Sequence, residues 1–308
     1  ILAILAFFLC VAFYELIGIC ITYKKQPAVS DATIKETQNI MSVAGRENTE
    51  RAVIIEKNSQ ALLERVRLIQ NAKDEIILST FAFKSDESGK LILGALHDAA
   101  DRGVHVRILV DGMESWIDME GNPYFYGLSS HENVEIKLYN KANPLKPWKT
   151  MGRMHDKYLI ADGKIYILGG RNTYNYFLGD FPGHKNFDRD VLVVCDEPQK
   201  DNSVNQLWNY FETIWEQEDC RYFHNSKKLA DRQPVKKAVL ELQEGYQQYF
   251  EVNKEKICDT DYADETFETE KIILLSNPIH TQAKEPVVWY QLGELMKNAK
   301  ERVKIHTP

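Results

Sequence analysis

The sequence predicts an α/β fold, a mostly buried mixed sheet flanked by helices, with one apolar helix ahead of it. Three observations carry this. Strand-like and helical periodicities alternate between residues 52 and 110, a β-patterned hairpin follows at residues 158–168, and residues 1–23 are almost wholly apolar with a single acid, Glu15. Alternating strands and helices pack as helices against a sheet, because neither element can bury its apolar face alone.

The apolar stretch comes first. At 1.5 Å per residue a helix over residues 1–23 spans roughly 30 Å, enough for a bilayer core. We read it as an uncleaved single-pass anchor, which places the protein at the cell membrane. A secretory signal would have a shorter apolar run and a small-residue cleavage site. Lys24 and Lys25 favour a cytoplasmic main domain. The chain starts at Ile1 with no initiator methionine, so residues upstream are expected, and orientation stays open. Residues 24–48 are polar and read as a linker.

The first lobe is read over residues 49–222. Residues 52–56 are strand-like, 59–72 helical and 75–83 a buried strand; 88–102 form a helix stopped by Gly103, and 104–110 a strand ending in Asp111-Gly112. After the hairpin, residues 190–194 read as a strand and 199–216 as a helix. Residues 223–270, acidic and tyrosine-containing, read as a connecting insertion with a solvated face. Residues 271–308 read as the start of a second lobe. LMKNAKERVKIHTP at 295–308 repeats LIQNAKDEIILSTF at 68–81, sharing Leu, Asn, Ala, Lys and Thr at an offset of 227 residues.

The chemistry is concentrated in RMHDKYLIADGKIYILGGRN, residues 153–172. In an extended strand residues i and i+2 share a face, so His155 and Lys157 project together. Asp162-Gly163 is a tight hairpin turn, Gly169-Gly170 lets the backbone come close to something, and Asn172 sits at the hairpin's mouth. An imidazole can attack phosphorus, while an ammonium and a carboxamide can hold its anionic oxygens. Singly these residues are ordinary: a lone histidine is more often a surface or core residue, and Asp-Gly is first of all a turn. Their combination points to a phosphate site.

His155-Asp156-Lys157 through Asp162-Gly163, with Gly169-Gly170-Arg171-Asn172, resembles the HKD signature of the phospholipase D superfamily, and more closely that of its bacterial cardiolipin synthase branch. The resemblance extends over most of the chain from about Ala52. It implies a metal-independent, two-step phosphodiester exchange through a phosphohistidine, on two similar α/β lobes whose HKD motifs share one active site. Chemistry also asks for that second motif, since a histidine attacking phosphorus cannot protonate the departing alkoxide from the opposite side. No other histidine here has a lysine two places on. The second HKD lobe is therefore expected from a continuation of the chain, with its histidine near position 382 by the repeat's spacing, or from a dimer mate.

The resemblance implies that His155 is nucleophile or general acid, and that Lys157 and Asn172 hold the non-bridging oxygens. Asp162 is the motif's aspartate, grouped with the catalytic residues though better suited to holding local geometry. Gly170 and Arg171 are assigned to the substrate. So are Lys149 and Arg153, from a segment between Ile136 and His155 that carries five basic residues, no acid, Trp148 and two prolines. Such a segment suits an anionic headgroup at a membrane surface, or is an ordinary solvated loop. A histidine nucleophile also works better with an acceptor that fixes its tautomer. Asp190, opening the 190–194 strand, is the first candidate and Asp188 its rival. His184 either faces the headgroup or is a loop histidine.

Composition narrows the substrate. With 38 basic and 45 acidic residues the net charge is −7, which disfavours a protein that grips a polyanion. No nucleic-acid partner is expected, and a nuclease is the weaker enzymatic reading. The five cysteines include no CxxC and no His/Cys cluster, so neither a metal nor another cofactor is expected. The expected activity is that of a membrane-anchored phosphatidyltransferase acting on a phospholipid, phosphatidylglycerol first. A phosphodiester hydrolase and a catalytically silent lipid-binding lobe are the alternatives.

Overall fold

Among the residues described by the computed structural model, 2–42 and 50–305, nine strands join in one sheet. In chain order the elements are α1 (Leu2–Tyr23), α2 (Asp31–Ser42), β1 (Arg51–Ile55), α3 (Asn58–Asn71), β2 (Glu75–Thr80), α4 (Glu87–Asp101), β3 (His105–Asp111), α5 (Gly112–Asp118), α6 (Pro123–Ser129), β4 (Val134–Tyr139), β5 (Tyr158–Ala161), β6 (Ile165–Gly169), β7 (Asp190–Val194), α7 (Ser203–Trp215), β8 (Cys220–Tyr222), α8 (Lys227–Ala230), α9 (Gln233–Ile257), β9 (Phe267–Glu268) and α10 (Val287–Asn298). A short 3-10 turn, Pro147–Lys149, lies between β4 and β5.

The chain divides into two compact units. The larger, Asn48–Lys141 with Met154–Ile272, holds the whole sheet, in the order β8-β4-β3-β2-β5-β6-β7-β1-β9. The sheet is mixed. β2, β3 and β4 run parallel, joined by crossovers that contain α4 and α6, whereas every other neighbouring pair is antiparallel. Strand alternation gives the sheet two apolar faces. Ile76, Leu78, Val106, Ile108, Leu159 and Ile167 face a core shared with α3, α4 and α9. On the other face α7 closes the sheet, with Trp208 donating from Nε1 to Glu75 (3.1 Å) and Arg107 pairing with Glu212 (2.6 Å). Helices on both faces make the α/β/α sandwich that the β-α-β-α-β order predicts.

Helix starts follow their caps. Asp86 accepts from Gly89 N at the start of α4, and Asp111, the last residue of β3, accepts from Met113 N and Glu114 N at the start of α5. The 75–83 strand stops at Thr80, and Phe83 keeps only a single bridge to Thr173. The β5–β6 hairpin turns through Asp162, Gly163 and Lys164; the first two have positive φ, which Asp and Gly tolerate, and Lys164 N donates to the Ala161 carbonyl at 3.0 Å.

Residues 223–270 differ from the solvated insertion expected of them. α9 packs along α3, α4 and α6 and buries Val235, Ala238, Leu242 and Tyr246, and β9 extends the sheet beside β1. The many charges hid an apolar stripe of helical spacing, which is what a surface helix shows on its inner face.

The smaller unit comprises Ile1–Glu47, Ala142–Arg153 and Ile273–Pro308. α1 buries none of its residues and is long and apolar enough to cross a membrane. The stretch read as a linker contains α2. Ser30 caps it through Thr33 N (3.3 Å), and the Glu285 carboxylate accepts from both hydroxyls. That partner lies about 250 residues away along the chain, beyond any local pattern. α3 stops at Asn71 before an extended Ala72, and α10 at Asn298 before an extended Ala299, the same offset of 227 residues. The strand that follows in the first copy has no counterpart over residues 300–305, and the last three residues of the repeat, 306–308, lie outside the described residues.

Candidate active site

β2 ends, β5 begins, β6 ends and β7 begins at one end of the sheet, since Ser79 pairs with Tyr158, Tyr158 with Leu168, and Gly169 with Asp190. The motif converges there on Phe81 and Ala82, the residues just past β2. The exposed His155 ring meets the Phe81 ring edge-on, with centroids 4.6 Å apart. Lys157 Nζ lies 5.4 Å from the same ring and donates to the His155 carbonyl at 2.7 Å. Asn172 Oδ1 accepts from Ala82 N at 3.1 Å, which commits its oxygen to the backbone and leaves its amide nitrogen as the donor.

Burial holds the Lys157 ammonium down to about 8, against the opposing pull of the Asp156 and Asp188 carboxylates. A pH effect of known sign follows. If the ammonium binds the substrate, kcat/KM should fall as pH rises through about 8, and Asp188→Asn should move that limb to lower pH. Fold stability should move the other way. Between about pH 8 and the ordinary lysine value of about 10.4, the unfolded chain keeps a proton that the folded chain has lost, so this residue's contribution stabilises the fold as pH rises. A kcat/KM profile flat across this range would remove Lys157 from the site.

Several sequence expectations need correction. Asp190 does not meet His155: it is fully buried between two arginines, Arg65 (2.9 Å) and Arg171 (3.3 Å). Its position at the start of β7, paired with Gly169, turns it into the core beneath the hairpin. Arg171 is not available to a substrate. It is 1% exposed, and its guanidinium donates to the Asn58 side chain and to the carbonyls of Ile55, Glu56 and Asp188. The residue that comes close to Gly170 is Asp188, whose carboxylate a Cβ at position 170 would overlap.

Asp162 stands at the opposite end of β5 from Lys157. Its carboxylate accepts from the backbone N–H groups of Lys73, Asp74 and Glu75 at 2.8–3.2 Å, and so holds the loop that leads into β2. Asp162→Ala should therefore lower stability by about 1–3 kcal/mol, read from the urea midpoint, while folded protein keeps its turnover. Loss of turnover at unchanged stability would return Asp162 to the catalytic group. Lys149 and Arg153 belong to the smaller unit, and the motif to the larger. His184 is an exposed loop residue against the Tyr176 ring. Among the described residues no group of three or more His, Cys, Asp or Glu side chains is arranged to hold a metal ion.

The structure adds residues that sequence reasoning passed over or ranked low. Phe81 supports both His155 and Lys157, but one aromatic residue after a strand carries no signal of its own. The Asp188 carboxylate favours the charged form of the lysine, and Tyr210 on α7 donates to Asp156 Oδ2 at 2.8 Å. Burial, reinforced by the Asp156 carboxylate and that bond, pushes the Tyr210 hydroxyl far above the usual tyrosine range. It ties the residue between His155 and Lys157 to the far face of the sheet.

A family profile described as "Cardiolipin synthase, PLD-like domain" matches residues 66–215, the stretch that holds α3, the centre of the sheet and the motif. Residues 66–215, just under half of the chain, carry a phospholipase D superfamily domain of the cardiolipin synthase-like branch. The chain is 33% identical over 181 residues to an uncharacterized protein of Helicobacter pylori, covering 54% of this chain and 35% of that protein. It is 29% identical over 154 residues to cardiolipin synthase C of Escherichia coli, covering 46% and 31%. The chain spans about a third of the length of these curated relatives. Among solved structures, the phosphatidylserine synthase of Haemophilus influenzae aligns with a TM-score of 0.47 at 15% identity, covering 72% of this chain and 48% of that one.

Proposed function

We propose that the protein is a membrane-anchored phosphatidyltransferase of the cardiolipin synthase kind, with phosphatidylglycerol as its substrate. A single observation supports this above the others: His155, Lys157 and Asn172 gather around Phe81 and Ala82 with an imidazole exposed, an ammonium buried and an amide nitrogen turned to donate. In the proposed reaction an imidazole nitrogen attacks the phosphodiester phosphorus and displaces glycerol, giving a phosphatidyl-histidine. The hydroxyl of a second phosphatidylglycerol then attacks that phosphorus and releases the imidazole. Lys157 and Asn172 hold the non-bridging oxygens, where charge grows in the transition state.

The departing alkoxide must be protonated and the incoming alcohol deprotonated, so a second acid-base group is needed opposite His155. It is proposed to come from a second HKD lobe, in a continuation of the chain or in a dimer mate. α1 would hold the site at the cell membrane, where the lipid is. The net charge of −7 accords with a lipid in preference to a nucleic acid.

The test is to incubate the full-length natural protein with phosphatidylglycerol in mixed micelles and identify products by mass spectrometry. Cardiolipin with glycerol would support the transferase. Phosphatidic acid alone would mean that water resolves the intermediate, making the protein a hydrolase. No product at all would overturn the phosphatidylglycerol reading.

A further inference from the structure

We infer that residues 145–151, the turn packed against the anchor helix, form a second membrane contact that inserts at the lipid headgroup boundary beside α1. The inference rests on the anchored reading above and extends it to a different segment.

The turn is bound to α1 inside the smaller unit. Tyr14 Oη donates to the Leu145 carbonyl at 3.0 Å, and Pro147 lies so close to Gly18 that any Cβ there would overlap its ring. Trp148 and Pro27 line a groove that runs along Tyr14, Ile17, Gly18 and Ile21, with Lys25 also on its wall. Position along the helix then sets depth. The apolar run of α1 ends at Tyr23, followed by Lys24-Lys25, so Gly18 lies about 7–8 Å and Tyr14 about 13 Å inward along the axis. A bilayer that accommodates α1 must therefore meet the turn on the acyl side of the headgroup boundary, from where the long lysine side chains of the turn reach back to the headgroups.

The turn is chemically suited to that depth. Leu145 is 76% exposed, Met151 57% and Trp148 43%, an apolar and aromatic surface of the type that lies at membrane interfaces. Its backbone is largely paired within itself: Leu145 N donates to Asn143 Oδ1, Lys146 N to Asn143 O, Lys149 N to Lys146 O and Thr150 N to Pro147 O. Few polar backbone groups would lose water on insertion. Lys146 and Lys149 bracket Trp148 and place positive charge where anionic headgroups lie.

The full chain would be reconstituted in phosphatidylcholine–phosphatidylserine bilayers, and Trp148 emission isolated as the difference from a Trp148→Phe protein. Lipids brominated at the headgroup end of their acyl chains should quench most of that difference signal, and aqueous iodide should not. Trp148 emission open to iodide and untouched by bromine would overturn the inference. A Leu145→Glu/Met151→Glu protein should remain in the membrane fraction through α1 while Trp148 becomes open to iodide; unchanged bromine quenching in that variant would also overturn it. If the wild-type chain leaves the membrane fraction in alkaline carbonate, both the anchor and this contact fail. If it stays while Trp148 is in water, only this contact fails. No arm reads turnover.

Discussion

Replacing His155 with asparagine should take phosphatidylglycerol turnover by the full-length protein to background, a loss of at least about 10⁴-fold. Asparagine keeps a polar side chain of similar reach, but it has no nitrogen that can form a phosphoramidate bond or carry a proton near neutral pH. His155 is exposed and its ring touches Phe81 at an edge, so the fold should be unchanged within about 0.5 kcal/mol. The paired measurement is product formation by mass spectrometry and the urea midpoint by circular dichroism. Turnover that survives with a native midpoint would place the chemistry on another group.

The second large effect is on stability. Asp190→Ala should cost roughly 3–5 kcal/mol, because it leaves Arg65 and Arg171 facing each other in the core without their shared anion. Both guanidinium groups keep carbonyl acceptors, Ala61 for Arg65 and Ile55, Glu56 and Asp188 for Arg171, but carbonyls do not neutralise two buried cations. The check is a large drop in the denaturation midpoint, with turnover per folded molecule retained at low temperature. A native midpoint with lost turnover would show Asp190 acting on His155 after all, as its place in the sequence suggested.

Asp190 and Asp188 show why part of the site was legible and part was not. Both sit in the same DRD triplet, and alternation puts them on one face of an extended chain. Sequence cannot say which of the two lies beneath the hairpin and which beside it. Pairing of Gly169 with Asp190 sends the second aspartate into the core, and the carboxylate of the first fills the space left by the missing side chain of Gly170. Arg171 was misread for a related reason. An arginine next to a phosphate-site amide looks like an anion binder, and only the arrival of β1 and α3 beside it supplies the acceptors that consume it.

The α9 helix was hidden differently. Four acidic and four basic residues are scattered along it, while the five residues it buries are spread over seven turns. Seen as a stripe against α4 and α6 they are a core face; seen as a string they are a minority among charged and polar residues.

By itself the sequence determined the α/β class, the β5–β6 hairpin with its turn at Asp162-Gly163, the long apolar helix α1 and the grouping of His155 with Lys157. Each of these rests on short-range geometry, a period of two or 3.6 or the φ sign of one turn, which a local stretch of chain already contains. The tertiary structure alone decided which carboxylate pairs with which cation, that Asp162 holds a loop at the far end of its strand, and that Asn172 is oriented by Ala82. Those outcomes depend on strand order and on partners about 90 to 120 residues away. Electrostatic and hydrogen-bond partnership acts over a few ångströms of space and is indifferent to distance along the chain.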